Sequence, residues 1–336
     1  MPCSAGPSVS PMGLTMFYNS IMMTQLYRKY GLKYILLLAG VLLHFQFLYA
    51  QSDTLDFKTF DKDLTDMEEE LVPIKTNYYM IVPQGIAGNI GVYLGEEVFL
   101  VDNQYSAVVP KIRRMLRTVS DKEVGMVMNT HYHYDHVDGN RAFGKEGIPI
   151  VAHESVELRL SSPQQLSPPW PLLQPAYPEW AWPTITFKDT LLLTDGKETI
   201  ALHHFIAHTD GDVMVHFRKG DIWHTGDIFV TYGLPYIDEA SGGDIYGMIQ
   251  ALDYLLERAG PETLIIPGHG PLCTIKEAIT YRDMLVSIRE QVAGFMKQGL
   301  NLEEINEKVT IPPGVEAMDK KAFINHVQKM IEKHEK

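Results

Sequence analysis

Cysteine is nearly absent, with only Cys3 and Cys273 in 336 residues. Cys3 falls in an N-terminal stretch that reads as a removable leader, so the mature chain keeps one thiol and no intramolecular disulfide can staple it. A basic stripe is missing as well. Apart from Arg28, Lys29 and Lys33 in the leader there is no Lys/Arg cluster, and acids outnumber bases to give a formal charge of −13. Neutralising phosphates requires such a stripe, so nucleic acid is excluded as a partner and a small-molecule substrate is expected. The longest apolar run, Tyr34–Tyr49, is roughly 16 residues against the ~20 that a membrane-spanning helix needs. With Arg28, Lys29 and Lys33 before it and polar residues after Ala50, it has the pattern of a signal peptide. The expectation is therefore a leader over residues 1–50, a mature domain over 51–336, a periplasmic or secreted location and no stable membrane anchor after cleavage. No internal repeat or low-complexity stretch interrupts the mature part, which excludes solenoids and leaves an ordinary globular domain.

What is present is strand pattern in two batches. Tyr78 to Val82, Ile90 to Leu94 and Val98 to Val101 are short apolar runs separated by turn residues. A helix is expected from about Ala107 to Val119, with Val109, Ile112, Leu116 and Val119 on one face, followed by an apolar strand over Val124 to Met128. The second batch is Thr184 to Leu193, Thr199 to Phe205, Val213 to Phe217 and Asp221 to His224, with turns at Asp195-Gly196 and Lys219-Gly220. Helices over about Ile245 to Arg258, Ile275 to Lys297 and Lys320 to Lys333, and a strand over Thr263 to Ile266, complete the pattern. Two strand batches, each ending in helices, predict an α/β fold in which two packed sheets are covered outside by helices, a four-layer αββα sandwich. The Pro/Trp-rich segment Ser161 to Pro183, with Trp170, Tyr177, Trp180 and Trp182, breaks the periodicity and reads as a long loop. Such a loop could wall a site or simply pack its own aromatics.

The chemistry is concentrated in Thr130-His131-Tyr132-His133-Tyr134-Asp135-His136. Side chains on extended backbone alternate with period two, so His131 and His133 can face one ion together. Asp135 and His136 come where the chain turns and can face a second. Later segments add His208 in Ala207-His208-Thr209-Asp210-Gly211, Asp227 in Thr225-Gly226-Asp227, and His269 in Pro267-Gly268-His269-Gly270, each at a strand end beside glycine. Imidazole and carboxylate without thiolate suit zinc, and equally iron or manganese.

This pattern, from about Asn77 to Leu272, resembles the metallo-β-lactamase superfamily. The resemblance implies two zinc ions, the first held by His131, His133 and His208, the second by Asp135, His136 and His269, with Asp227 bridging them. It also makes Asp102 a buried structural aspartate rather than a ligand. The implied activity is hydrolysis of a cyclic amide, ester or lactone, β-lactams included, by a metal-activated water, with Asp135 as the catalytic group that orients the nucleophile and carries a proton. Asp227 stands where one large class of true metallo-β-lactamases carries cysteine, which makes the set more similar to that of glyoxalase II and lactonases. The tail after Thr274 is too short to match the helical substrate domain of glyoxalase II. Two competing readings share the fold: a mononuclear iron enzyme resembling persulfide dioxygenases, and a non-enzymatic periplasmic metal-binding protein.

Among the remaining candidates, His153 is expected to cap or hydrogen-bond, and His203, His204 and His216 to be structural. His224 is the first to test as a support for Asp227. Tyr232 and Tyr236 are candidates for oxyanion or substrate contacts, Ser241 for capping the helix near Ile245, and Cys273 for packing.

Overall fold

The fold follows from how apolar residues alternate along the strands. In the computed structural model, which describes residues 53–54, 64, 67–85, 87–167, 172–316 and 319–335, a seven-stranded sheet is formed by β1 (Glu69–Lys75), β2 (Tyr78–Pro83), β3 (Ile90–Leu94), β4 (Val98–Val101), β5 (Val124–Met128), β6 (Ile150–His153) and β7 (Ile185–Phe187). Its spatial order is 7-6-5-4-3-2-1, antiparallel from β1 to β4 and parallel from β4 to β7. A second sheet orders β8 (Thr190–Asp195), β9 (Glu198–Phe205), β10 (Asp212–Phe217), β11 (Ile222–His224), β12 (Leu264–Ile266) and β13 (Cys273–Thr274) in sequence. All its pairs are antiparallel except β11 with β12.

Period two places one set of each strand's residues between the sheets and the other set under helices. Phe99 and Val101 of β4 meet Val213, Val215 and Phe217 of β10 in the central layer. Their neighbours Val98 and Leu100 face the opposite way, onto Ile112 and Leu116 of α1 (Val109–Leu116). Across the molecule, Met214, Trp223 and Ile265 of the second sheet pack outward against α5 (Ile245–Leu256), α6 (Ile275–Lys297) and α8 (Lys320–His334). The result is the αββα sandwich. Short helices α2 (Tyr134–Val137), α3 (Asn140–Phe143), α4 (Glu154–Leu160) and α7 (Leu302–Lys308) complete the set. Thr54–Lys336 is one compact unit, and the leader expected over residues 1–50 lies outside the described residues. Among the described residues no helix is long and apolar enough to cross a membrane.

Several expectations need correction. The run Thr184 to Leu193 is not one strand: β7 ends at Phe187 in the first sheet and β8 starts at Thr190 in the second. Phe187, Leu191 and Leu193 all pack on the shared central layer, so a continuous apolar pattern conceals the change of sheet. Strand β1 escaped notice because Pro73 interrupts its pattern. Proline is tolerated there because β1 is an edge strand and the register shifts between Pro73 and Lys75. Helix α1 starts only at Val109, after a 3-10 turn over Ser106–Val108, and Val119 lies beyond its end. The cap of α5 is Asp244, whose carboxylate accepts from Tyr246 N at 2.9 Å, while Ser241 belongs to the preceding turn. The Pro/Trp-rich segment carries a short hairpin pairing Gln164–Gln165 with Leu172–Gln174, and a 3-10 turn over Glu179–Ala181. Trp182 donates Nε1 to Tyr177 O and packs within the segment, while Trp180 is 54% exposed. Trp170 lies outside the described residues.

Candidate metal centre

The site gathers where strands from both sheets end. Strand β5 runs into Asn129, the chain bends through Thr130, His131 and Tyr132, and His133 is extended at φ −64° and ψ 142°. It then winds into α2, whose first turn carries Asp135 and His136. His208 sits in the β9–β10 connection, where Asp212 accepts from Thr209 N at 2.9 Å and Thr209 Oγ1 at 2.6 Å. Because β11 and β12 are parallel, their ends deliver Asp227 and His269 side by side. Close approach at Asp227 requires glycine: a Cβ on Gly268 would meet its Oδ1 at 1.9 Å, and Gly226 turns at φ +51°.

All seven expected residues converge. His208 Nε2 lies 2.9 Å from His133 Nδ1, and His136 Nε2 lies 3.3 Å from His269 Nε2. Asp227 reaches both groups, with Oδ1 3.1 Å from His136 Nε2 and Oδ2 at 3.7 Å from His208 Nε2 and 3.5 Å from His269 Nε2. Asp135 Oδ2 is 3.3 Å from His269 Nε2. Three triads have ligand atoms mutually within 4.8 Å: His131, His133 and His208; His131, His136 and Asp227; Asp135, His136 and His269.

Outer partners fix which nitrogen of each ring faces inward. Thr130 Oγ1 gives its one proton to Asp102 at 2.7 Å, so at 3.0 Å it must accept from His131 Nδ1, leaving the His131 Nε2 lone pair turned inward. The Tyr236 carbonyl, 2.8 Å from His208 Nδ1, likewise requires a donor there. Carboxylates hold the outer nitrogens of the other two rings, Asp102 at His136 Nδ1 (2.8 Å) and Asp238 at His133 Nε2 (3.2 Å). Two lone pairs 2.9 Å apart, on His133 and His208, repel unless a cation stands between them. His131 Nε2 is buried without any hydrogen-bond partner, a cost that native structures carry where a ligand satisfies the atom. The donor set therefore fits metal ions, with second partners of the kind that orient ligating histidines.

The electrostatics agree. Burial, reinforced by neighbouring imidazoles, holds His131 well below its usual range and His208 at about 4. Burial acts the same way on His136 and His269, yet carboxylates overcome it: Asp227, Asp135 and Asp102 raise His136, and Asp227 and Asp135 lift His269 to about 9. Burial would raise Asp135 and Asp227, but the histidines hold both low: His136 and His269 for Asp135, His269 and His136 for Asp227. The buried carboxylates thus call for positive charge, which protons on His136 and His269 supply when no metal is bound.

Asp102 is the buried structural aspartate expected. Held at φ +62°, it accepts from Thr130 N and Oγ1 and faces His136. His224 supports Asp227 indirectly: its Nδ1 accepts from Gly226 N and its Nε2 meets Asn89 O, both at 3.2 Å. His153 caps α4, accepting from Ser155 N. His204 stacks on His153 at 3.6 Å and His216 on Trp223 at 4.0 Å, consistent with structural roles. Cys273 is buried in the helical layer. Tyr236 is corrected as an oxyanion candidate, because its hydroxyl donates to Ser167 O at 3.0 Å.

Three supporting residues had no sequence signal. Asp238 also accepts from Tyr132 OH and from Ser167 N and Oγ. Gln174, buried in the Pro/Trp-rich segment, accepts from Tyr134 N and donates to Tyr132 O, clamping the turn at His133. Asn89 donates Nδ2 to Pro267 O and Gly270 O, tying the first sheet to the His269 loop. No local spacing marks any of them, since each acts across the fold.

The centre opens into a cavity of about 420 Å³ with Asp135, Asp227 and His269 at its floor and Tyr134, Leu166 and Tyr232 among its walls. A two-sheet sandwich with a His/Asp metal centre at its strand ends and an adjoining cavity is the architecture of a metal-dependent hydrolase. The chain belongs to the metallo-beta-lactamase superfamily, which it matches over residues 85–269, just over half its length. It is 23% identical over 261 residues to a linear primary-alkylsulfatase from a Pseudomonas species, an alignment covering 65% of this chain and 49% of that protein. The chain thus spans about half the length of that relative. Among solved structures it resembles the inverting sec-alkylsulfatase Pisa1 from Pseudomonas (TM-score 0.61, 16% identity, 78% of this chain and 50% of that one). It also resembles a metallo-beta-lactamase from Pontibacter korlensis (TM-score 0.53, 17% identity, 65% and 99%). At these identities the structural likeness speaks for the fold alone.

Proposed function

We propose that this protein is an exported, zinc-dependent hydrolase of uncharged ester, lactone or cyclic amide bonds. His131, His133 and His208 would hold one ion, Asp135, His136 and His269 a second, and Asp227 would touch both. The observation that carries the reading is the inward lone pairs of His131 and His208 fixed by outer hydrogen bonds, with His131 Nε2 buried and without a hydrogen-bond partner. Bound metal would supply a Lewis acid and a water nucleophile at neutral pH. The chain supplies the rest. Asp135, at the cavity floor beside His269, is placed to orient the nucleophile and to carry a proton to the leaving group. Tyr134, Leu166 and Tyr232 give an apolar wall for the acyl portion.

A sulfate ester is the second reading, favoured by the two alkylsulfatases named above. Against it, among the described residues no Lys or Arg lines the cavity to hold an anionic ester. A single iron centre leaves Asp135 and His269 without a task, and a binding module leaves the Asp135 carboxylate without one. The test is metal counting on the purified mature chain, together with a panel of lactone, ester, β-lactam, thioester and alkyl sulfate substrates. Two zinc ions per chain and ester or lactone turnover are expected. One iron per chain, or turnover of alkyl sulfate alone, would overturn the proposal. Export is checked by N-terminal sequencing of the protein recovered outside the cytoplasm, with Gln51 expected as the first residue.

A further inference from the structure

Besides the metal-binding side chains, the cavity has one charged lining residue among those described, Glu316. It stands at the rim, solvent-exposed, and among the described residues no hydrogen bond or ion pair engages its carboxylate. Its position is set by the backbone, since its carbonyl accepts from Leu234 N at 2.8 Å and so anchors it to the loop that carries Tyr232 and Tyr236. Glu316 lies beyond residues 85–269, over which the family matches.

We propose that Glu316 is a specificity-determining residue, and that the site selects acyl substrates carrying a neutral or cationic group beyond the scissile carbonyl while disfavouring carboxylates. The inference rests on the hydrolase reading above and deepens it. A substrate seated with its carbonyl over Asp135 and Asp227 extends its far end along the apolar wall toward the rim. There an ammonium or guanidinium group meets the Glu316 carboxylate, and a carboxylate meets a like charge with no Lys or Arg among the described lining residues to offset it. Because the rim is wet, the effect is moderate and screened by salt.

The test uses the full mature protein and three matched aryl esters of butanoic acid carrying methyl, trimethylammonium or carboxylate at the far carbon. The expected order of kcat/KM is cationic, then neutral, then anionic, spanning about tenfold at low salt through KM and flattening as salt rises. E316Q should collapse the cationic-to-anionic ratio toward unity and E316K should invert it, with the metal count per chain unchanged in both. An anionic ester cleaved as well as the neutral one, or a ratio that survives in E316Q, overturns the inference while leaving the hydrolase reading intact. Failure to cleave any of the three esters would instead count against the hydrolase reading and remove the inference's basis.

Discussion

The two halves of the metal centre differ in chemistry and in exposure. The first triad consists of three buried imidazoles, His131, His133 and His208. Each has its outer nitrogen tied, to Thr130, to Asp238 and to the Tyr236 carbonyl respectively. The second triad combines a buried His136 with Asp135 and His269, which stay 17% and 16% exposed at the cavity floor. The first is a closed grip whose geometry is set before a metal arrives. The second is open to solvent and carries the carboxylate, so it is the half that meets substrate. Asp227 belongs to neither half, because its two oxygens reach toward both.

The sharpest way to break this comparison is Asp227→Asn. Loss of the shared carboxylate should empty or weaken both positions and lower turnover by on the order of 10³-fold or more, as for groups that act as a unit. Metal counting beside kinetics checks it, and a variant that loses one position only would show that the halves are independent. Asp135→Asn isolates the open half: kcat should fall about 10²–10⁴-fold with KM nearly constant, the range of general acid–base catalysis. Equal falls in kcat and metal occupancy would reduce Asp135 to a ligand.

Asp238→Asn addresses the closed half alone. The first position should lose about 10–100-fold in metal affinity, the usual cost of an outer partner, read by competition with a chelator. Chelation of the unaltered protein should be biphasic, the open position emptying first. A single phase, or release from the closed half first, would remove the distinction drawn here. The smallest effect belongs to Asp244→Ala, whose side chain engages Tyr246 N, Lys333 and His334 and none of the metal donors. Loss of this helix cap should cost about 1–2 kcal/mol of stability in denaturant unfolding and leave metal content unchanged.

The legibility of this protein divides along physical lines. The sandwich was readable because period-two alternation serves a central layer and two helical layers at once, as Phe99 and Val101 against Val98 and Leu100 show. The seven-residue cluster was readable because metal donors at strand ends must sit beside backbone tight enough to approach an ion, and glycine marks those places. Strand β1 was hidden because Pro73 breaks its pattern, and the sheet change between Phe187 and Thr190 because apolar residues on both sides of it face the same central layer.

The sequence by itself determined which donors exist, four histidines and aspartates in one turn and three more at later strand ends. Tertiary structure decided which nitrogen of each ring faces inward, that Asp102 and Asp238 are the carboxylates behind the ligands, and that Glu316 stands at the rim. The reason is distance along the chain. Asp238 reaches His133 across 105 residues and Asn89 reaches the His269 loop across 178 and more, and local spacing carries no record of contacts made at that range.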